Sequence, residues 1–206
     1  MLAESPEEFL SRKDKKLKRL ITLFGKSKFT YEERSPFDTL AKAIISQMLS
    51  NSTSKSITNK IENIHGKRPF KPHRFLILEH DVLKSCGLSS SKIKTLKVIA
   101  EACVRKEITF KAFENLDDEQ ALVKLTSYWG IGNWTAEMFM MFCLKRLDIL
   151  ALGDAGLQRA HTLLYPKAKS LEITSEKWRP YRAVAASYLW QFLDNPECHA
   201  EVLKIK

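Results

Sequence analysis

Glycine and proline are scarce in this 206-residue chain, seven of each, and they are spread out. That scarcity argues against a loop-rich fold, and strand-like alternation is nowhere sustained, so an all-β fold is excluded as well. Cysteine is scarcer still. Cys86, Cys103, Cys143 and Cys198 show neither paired spacing nor a ferredoxin-like run, so they read as reduced core or surface thiols of an intracellular protein and speak against an iron–sulfur cluster. Long apolar runs are missing too. None approaches the roughly 20 residues that span a bilayer, so no membrane partner is expected. Glu4, Glu7 and Glu8 interrupt the first apolar residues, which removes the pattern of a secretory leader. There is no internal repeat and no low-complexity linker.

What the chain has is positive charge and helical periodicity. Lys and Arg number 34 against 24 Asp and Glu, a formal net charge of +10. The excess favours a polyanionic partner if it is clustered; the plainer alternative is a solvated lysine-rich surface. The densest basic run is Arg12 to Arg19, RKDKKLKR. It could touch phosphates or serve as a nuclear address, but it reads more simply as one solvated face of an N-terminal helix whose inner side carries Phe9, Leu10, Leu17, Ile21 and Phe24. The length allows one domain or two small lobes.

Helix signals recur along the chain. Ser35 and Pro36 are a helix start, hydroxyl N-cap and N1 proline, before a stripe of Phe37, Leu40, Ala41, Ile44, Ile45, Met48 and Leu49. Gly87 suits a C-cap and Ser89 an N-cap, ahead of a helix carrying Ile93, Leu96, Ile99 and Cys103. Leu157, Ala160 and Leu164 mark another helix, and Pro180 to Leu193 a last large one with Val184, Ala185, Tyr188 and Phe192 at helical spacing.

The segment richest in chemistry is Leu125 to Ala160. Gly130, Ile131 and Gly132 separate a helix ending near Ser127 from one starting near Asn133, a place where the backbone can turn and no Cβ is tolerated. Free amides at the second helix's start would accept a phosphate oxygen without reading sequence, although a plain tight turn gives the same pattern. Asp154 follows an apolar approach, Ile149 to Gly153, and precedes a helix. Burial would raise its pKa while the helix N-terminus would hold it ionised; an ordinary Asp N-cap is the plainer reading, and the two roles are compatible.

Tyr128 to Ala136 (YWGIGNWTA) followed by Gly153 to Leu157 (GDAGL) resembles the helix-hairpin-helix DNA glycosylases, the HhH-GPD superfamily, and within it the 3-methyladenine DNA glycosylase II branch. Further landmarks agree in order: Pro36 to Ser50 with its Gln-x-Leu-Ser ending, Gly87-Leu88-Ser89 with Lys92, Trp178 to Arg182 (WRPYR), and Tyr188-Leu189-Trp190. The resemblance covers residues 36 to 193 and implies an all-α, two-lobed fold with a DNA-binding cleft between the lobes. The expected division of the single glycosylase unit, 1–206, is a middle lobe at 36–150, with its hairpin at about 118–144, and a second lobe from 1–35 and 151–206.

The resemblance also implies roles. Asp154 would be catalytic, its carboxylate stabilising an oxocarbenium-like sugar as the N-glycosidic bond breaks. Trp134 and Trp190 would line the base pocket, although tryptophans at helical spacing are commonly core. Where bifunctional relatives place a Schiff-base lysine this chain has Trp134, which predicts a monofunctional, hydrolytic mechanism that leaves an abasic site. Gln47 or Met48 would fill the gap left by the flipped nucleotide; Met48 on the apolar stripe could equally be core. Gly130, Ile131 and Gly132 would anchor phosphate, with Lys92 as a second anchor or simply a surface lysine. Carbonyls of Thr126, Tyr128 and Ile131 would hold a monovalent cation, Na+ or K+; no other cofactor is expected. The expected activity is removal of alkylated purines such as 3-methyladenine and 7-methylguanine from double-stranded DNA, by a monomer, in the cytoplasm at the nucleoid of a bacterium or in the nucleus of a eukaryote. A non-catalytic helix-hairpin-helix DNA-binding protein or degenerate paralogue is the alternative, and a glycosylase for oxidised or mismatched bases a lesser one.

Overall fold

The computed structural model describes residues 4–27, 29, 35–66 and 68–203. Among these there is no strand. In chain order the α-helices are α1 (Pro6–Lys13), α2 (Lys15–Phe24), α3 (Pro36–Ser46), α4 (Asn51–His65), α5 (Pro72–Ile77), α6 (His80–Ser85), α7 (Ser90–Val104), α8 (Asp118–Thr126), α9 (Asn133–Phe142), α10 (Ala155–Leu164), α11 (Leu171–Ser175), α12 (Arg182–Asp194) and α13 (His199–Leu203). The chain forms two compact units, Glu33–Leu144 and a discontinuous one of Met1–Glu32 with Lys145–Lys206. Residues 145–150, expected with the middle lobe, thus belong to the terminal unit. Their bonds explain it: Leu147 O accepts from Ala183 N at 2.9 Å, and Asp148 is held by Arg179 at 2.6 Å and Arg182 at 2.9 Å. The WRPYR segment therefore serves the fold, with its Trp178 fully buried.

In the terminal unit the single N-terminal helix expected from the sequence is two. Asp14, at φ −145° and ψ 111°, ends α1 and caps α2, accepting from the amides of Lys16 at 2.9 Å and Leu17 at 3.3 Å. It is also the buried polar hub of this unit, taking Tyr165 Oη at 2.8 Å, Trp178 Nε1 at 2.9 Å and Lys177 Nζ at 2.8 Å. Burial pushes its carboxyl up, but the hydrogen bonds from Lys177, Trp178 and Tyr165 outweigh that and hold it below its ordinary value. The basic run is accordingly not one solvated face. Arg12 is exposed and paired with Glu4 at 2.8 Å, whereas Lys16 turns inward to donate to the Leu164 carbonyl. Leu10, Leu17 and Leu20 are fully buried, and Phe9, Ile21 and Phe24 only partly so. On α12, Val184, Ala185, Tyr188 and Phe192 pack inward as the spacing predicts. His161, on α10, is buried, and burial lowers its pKa.

In the middle unit α3 packs against α7 and α9. Ser35 does stand at its N-cap with Pro36 behind it, yet the hydroxyl makes no capping bond. The stripe Phe37, Leu40, Ala41, Ile44 and Ile45 is buried, but the helix stops at Ser46, so Met48 and Leu49 fall outside it. Ser50 instead caps α4, and Ser89 caps α7. Ile93, Leu96 and Ile99 are buried as expected. At the end of α4, His65 is buried against Phe70 and Phe75, ring centroids 4.9 Å away, and burial lowers its pKa. No cysteine is in a disulfide; Cys86 and Cys198 are buried, and burial pushes the half-buried Cys103 thiol up to about 11, where it is an inert side chain.

Candidate active site

The hairpin is built by caps and one glycine. Asp117 starts α8 with a reciprocal capping box to Gln120. After Thr126 the chain turns through Tyr128, whose carbonyl accepts from Ile131 N at 3.1 Å, and Ile131 is buried as the pin of the turn. Gly130 stands at φ +80°, and a Cβ there would lie 2.0 Å from Thr95 Oγ1. Only glycine fits. Gly132 differs from the expectation: its φ is −93°, a Cβ there would meet nothing within 4 Å, and its use is to cap α9 with bare backbone. The start of α9 therefore has no side-chain cap, and its first turn lies at the positive end of the helix dipole. The fold of this turn puts Thr126 at the last residue of α8 and Tyr128 and Ile131 in the loop; of their carbonyls, that of Tyr128 already accepts one amide.

Beside this hairpin stands the turn after α3. Gln47 Nε2 donates to Gly130 O at 3.1 Å and to Thr135 Oγ1 at 2.8 Å. Met48 is not core: it is fully exposed, at φ +55°. Lys92 is not a simple surface lysine. It is half-buried, and its Nζ donates to the carbonyls of Ile45 at 2.8 Å and Gln47 at 2.7 Å, groups that the end of α3 leaves without helical partners. Burial lowers its pKa. Trp134, in the first turn of α9, is half-buried. Sequence reasoning gave no role to Trp129 or Lys94. Trp129 is 46% exposed on the hairpin, and Lys94 Nζ sits 4.3 Å from its ring centroid, an aromatic and a cation presented together. The only available signal was a large aromatic just before Gly130.

In the terminal unit Asp154 is the N-cap of α10. Its Oδ1 accepts from Leu157 N at 2.6 Å and from Trp190 Nε1 at 3.0 Å. Asp154 and Trp190, which the sequence singled out separately, are thus one constellation. Gly156 leaves the room: a Cβ there would press on Asp154 Oδ1 at 3.2 Å. The apolar approach does not enclose the acid. Leu150 and Ala151 are buried, but Leu152 is 38% exposed and Asp154 half-buried, because a helix-capping loop runs at the surface. Trp190 is half-buried too. The arrangement fixes one carboxylate oxygen with two donors and leaves the group half-buried.

A family model described as HhH-GPD superfamily base excision DNA repair protein matches residues 41–181, a span that holds the turn after α3, the hairpin and Asp154. The chain belongs to this superfamily. Among its relatives, the DNA-3-methyladenine glycosylase 1 of Schizosaccharomyces pombe is 32% identical over 194 residues, covering 90% of this chain and 85% of that protein. The alkylbase DNA glycosidase-like protein mag2 of the same yeast is 32% identical over 202 residues, covering 94% of this chain and 93% of the relative. The solved structure of the Schizosaccharomyces pombe 3-methyladenine DNA glycosylase in complex with abasic DNA superposes with a TM-score of 0.80 at 31% identity, over 92% of this chain and 96% of that one. The all-α HhH-GPD fold read from the sequence is the fold of this chain. No helix among the described residues is long and apolar enough to cross a membrane.

Proposed function

We infer that this HhH-GPD protein is a monofunctional DNA glycosylase of base excision repair that extracts alkylated purines of the 3-methyladenine and 7-methylguanine class from double-stranded DNA and hydrolyses the N-glycosidic bond. The observation that carries the reading is Asp154, held by the Leu157 amide and the Trp190 indole in a chain about one-third identical, nearly end to end, to a DNA-3-methyladenine glycosylase. An alkylated purine that bears positive charge is already a good leaving group. As the C1′–N bond breaks, its electron pair goes to the base and positive charge develops on the sugar, which the Asp154 carboxylate stabilises. Water then adds its oxygen to C1′ and gives its proton to the carboxylate or to solvent. Trp134 carries no amine, so no Schiff base holds the sugar and the product is an intact strand with an abasic site.

Extraction of the base costs a few kcal/mol, least for a damaged pair. Trp134 and Trp190 offer rings on which a cationic base stacks, returning part of that cost. The amides of Gly130 and Gly132 grip the backbone, that of Ile131 being taken by the Tyr128 carbonyl, and the exposed Met48 wedges into the vacated stack. None of these steps needs a redox or Lewis-acid cofactor, and glycosylases of this type are generally cofactor-free. Carbonyls of Thr126, Tyr128 and Ile131 are hard oxygen donors suited to Na+ or K+, which would hold the hairpin rather than take part in bond cleavage. The protein acts as a monomer at the nucleoid or in the nucleus, where its substrate is. A binding module of the same family would need the hairpin but not an acid fixed by a tryptophan, which sets the non-catalytic reading second.

The test compares wild type with Asp154→Asn on duplex DNA carrying one alkylated purine, with breaks scored with and without hot alkali. Base release by wild type alone, with breaks only after alkali, is the expected result. Intact binding without release would establish the non-catalytic reading, and breaks without alkali would overturn the monofunctional one.

A further inference from the structure

The turn that follows α3 costs free energy, and its strained residue buries nothing. Leu49 N donates to Ser46 O at 3.1 Å, Gln47 stands at φ −47° and ψ 127°, and Met48 at φ +55°. This is a type II geometry, in which the position of Met48 ordinarily belongs to Gly or Asn. Met48 bears the left-handed strain with its side chain entirely in solvent, so no packing offsets it. The strain persists because the turn is tied down on both sides. Lys92 Nζ, reaching from the first turn of α7, takes the carbonyls of Ile45 and Gln47 at 2.8 and 2.7 Å, and the Gln47 side chain takes Gly130 O and Thr135 Oγ1 on the hairpin. An ammonium suits the first of these tasks, since it brings several donors on one atom to carbonyls at the negative end of a helix.

We propose that Lys92 is a positioning residue for base extrusion: by holding the Ile45 and Gln47 carbonyls it fixes Met48 in its strained turn, in register with the hairpin, so that the wedge is set before the nucleotide leaves the duplex. The proposal rests on the glycosylase reading above. It assigns Lys92 no contact with DNA, so its effect must pass through Met48. A preset wedge spares the enzyme the ordering cost at the moment of flipping, and that cost arises on duplex DNA far more than on a single strand.

The experiment is a double-mutant cycle with Lys92→Met and Met48→Gly, measuring kcat/KM on a 7-methylguanine oligonucleotide both as duplex and as single strand, with thermal unfolding alongside. Each single variant should lower duplex kcat/KM about tenfold more than single-strand kcat/KM, and the double variant should lose no more than about twofold beyond either single. Lys92→Arg, which keeps several donors, should recover most of the duplex rate; should Lys92→Met fail to fold, Lys92→Gln, whose shorter, uncharged side chain gives up the ammonium, replaces it in the cycle with Met48→Gly. Equal losses on both substrates, or losses that multiply in the double variant, would overturn the role of Lys92 while leaving the glycosylase intact. Failure of wild type to release base from either substrate would instead overturn the glycosylase reading itself.

Discussion

The two hairpin glycines are two residues apart, and the structure requires them to respond unequally to a single added methyl. At Gly130 an alanine would occupy φ +80°, which costs about 1–2 kcal/mol for an L-residue. Its Cβ would also meet Thr95 Oγ1 at 2.0 Å, Cγ2 at 2.7 Å and Cβ at 2.9 Å, an overlap that costs about 1–3 kcal/mol as the core shifts. Together Gly130→Ala should destabilise by about 2–5 kcal/mol, lowering the melting temperature by roughly 5–20 °C for a chain of this size. At Gly132 the φ of −93° suits alanine and nothing lies within 4 Å. There the entropy gained from the unfolded chain, about 0.4–1 kcal/mol, opposes a poorer N-cap of similar size, and Gly132→Ala should melt within about 3 °C of wild type. Because much of the penalty at position 130 is a clash with one side chain, Thr95→Ala should rescue Gly130→Ala by about 1 kcal/mol or more in a double-mutant cycle. Differential scanning calorimetry of the four variants decides the matter. Equal melting of Gly130→Ala and Gly132→Ala, or strict additivity with Thr95→Ala, would refute the account of why glycine stands at 130.

Trp190→Phe keeps a ring for stacking but deprives Asp154 Oδ1 of one of its two donors; kcat should fall about 10- to 100-fold with the fold intact, and a kcat within twofold of wild type would show that the indole does not orient the acid. Stability should decline at acid pH in two stages. His65 and His161 are held below their ordinary 6.5, so the fold favours their neutral forms: stability is level above that pH and falls below it as the unfolded chain takes up more protons. Asp14 is held below its ordinary 3.8, so its contribution is present above that value and is lost as pH falls further through its lowered pKa. Asp14→Ala should cost at least about 2–3 kcal/mol at neutral pH, because it strips Tyr165 and Trp178 of their acceptor and α2 of its cap, and it should also abolish the lower stage; a melting temperature unchanged between pH 7.5 and 5 would refute the upper stage.

What the sequence makes legible here is what neighbours along the chain decide. Ser89 and Asp154 declare helix starts because a cap needs an amide only two or three residues on, and Gly130 declares a left-handed turn because no other residue tolerates one cheaply. The candidate acid was readable for the same reason: its cap, its glycines and its motif lie in one short window. Asp14 was not. Within a run of lysines and arginines a lone carboxylate looks like charge balance, and only folding brings Tyr165 and Trp178, 151 and 164 residues away, onto its oxygens. Met48 was left open for a subtler reason. It continues the period of α3, so the apolar pattern favours burying it, and the outcome turns on where the last carbonyls of that helix find donors. Lys92 supplies one and the hairpin holds Gln47, so α3 ends before the stripe does and Met48 faces water. A hydrophobic pattern records what a helix would bury if it continued, whereas the stop belongs to a side chain some 45 residues away, which no local pattern contains.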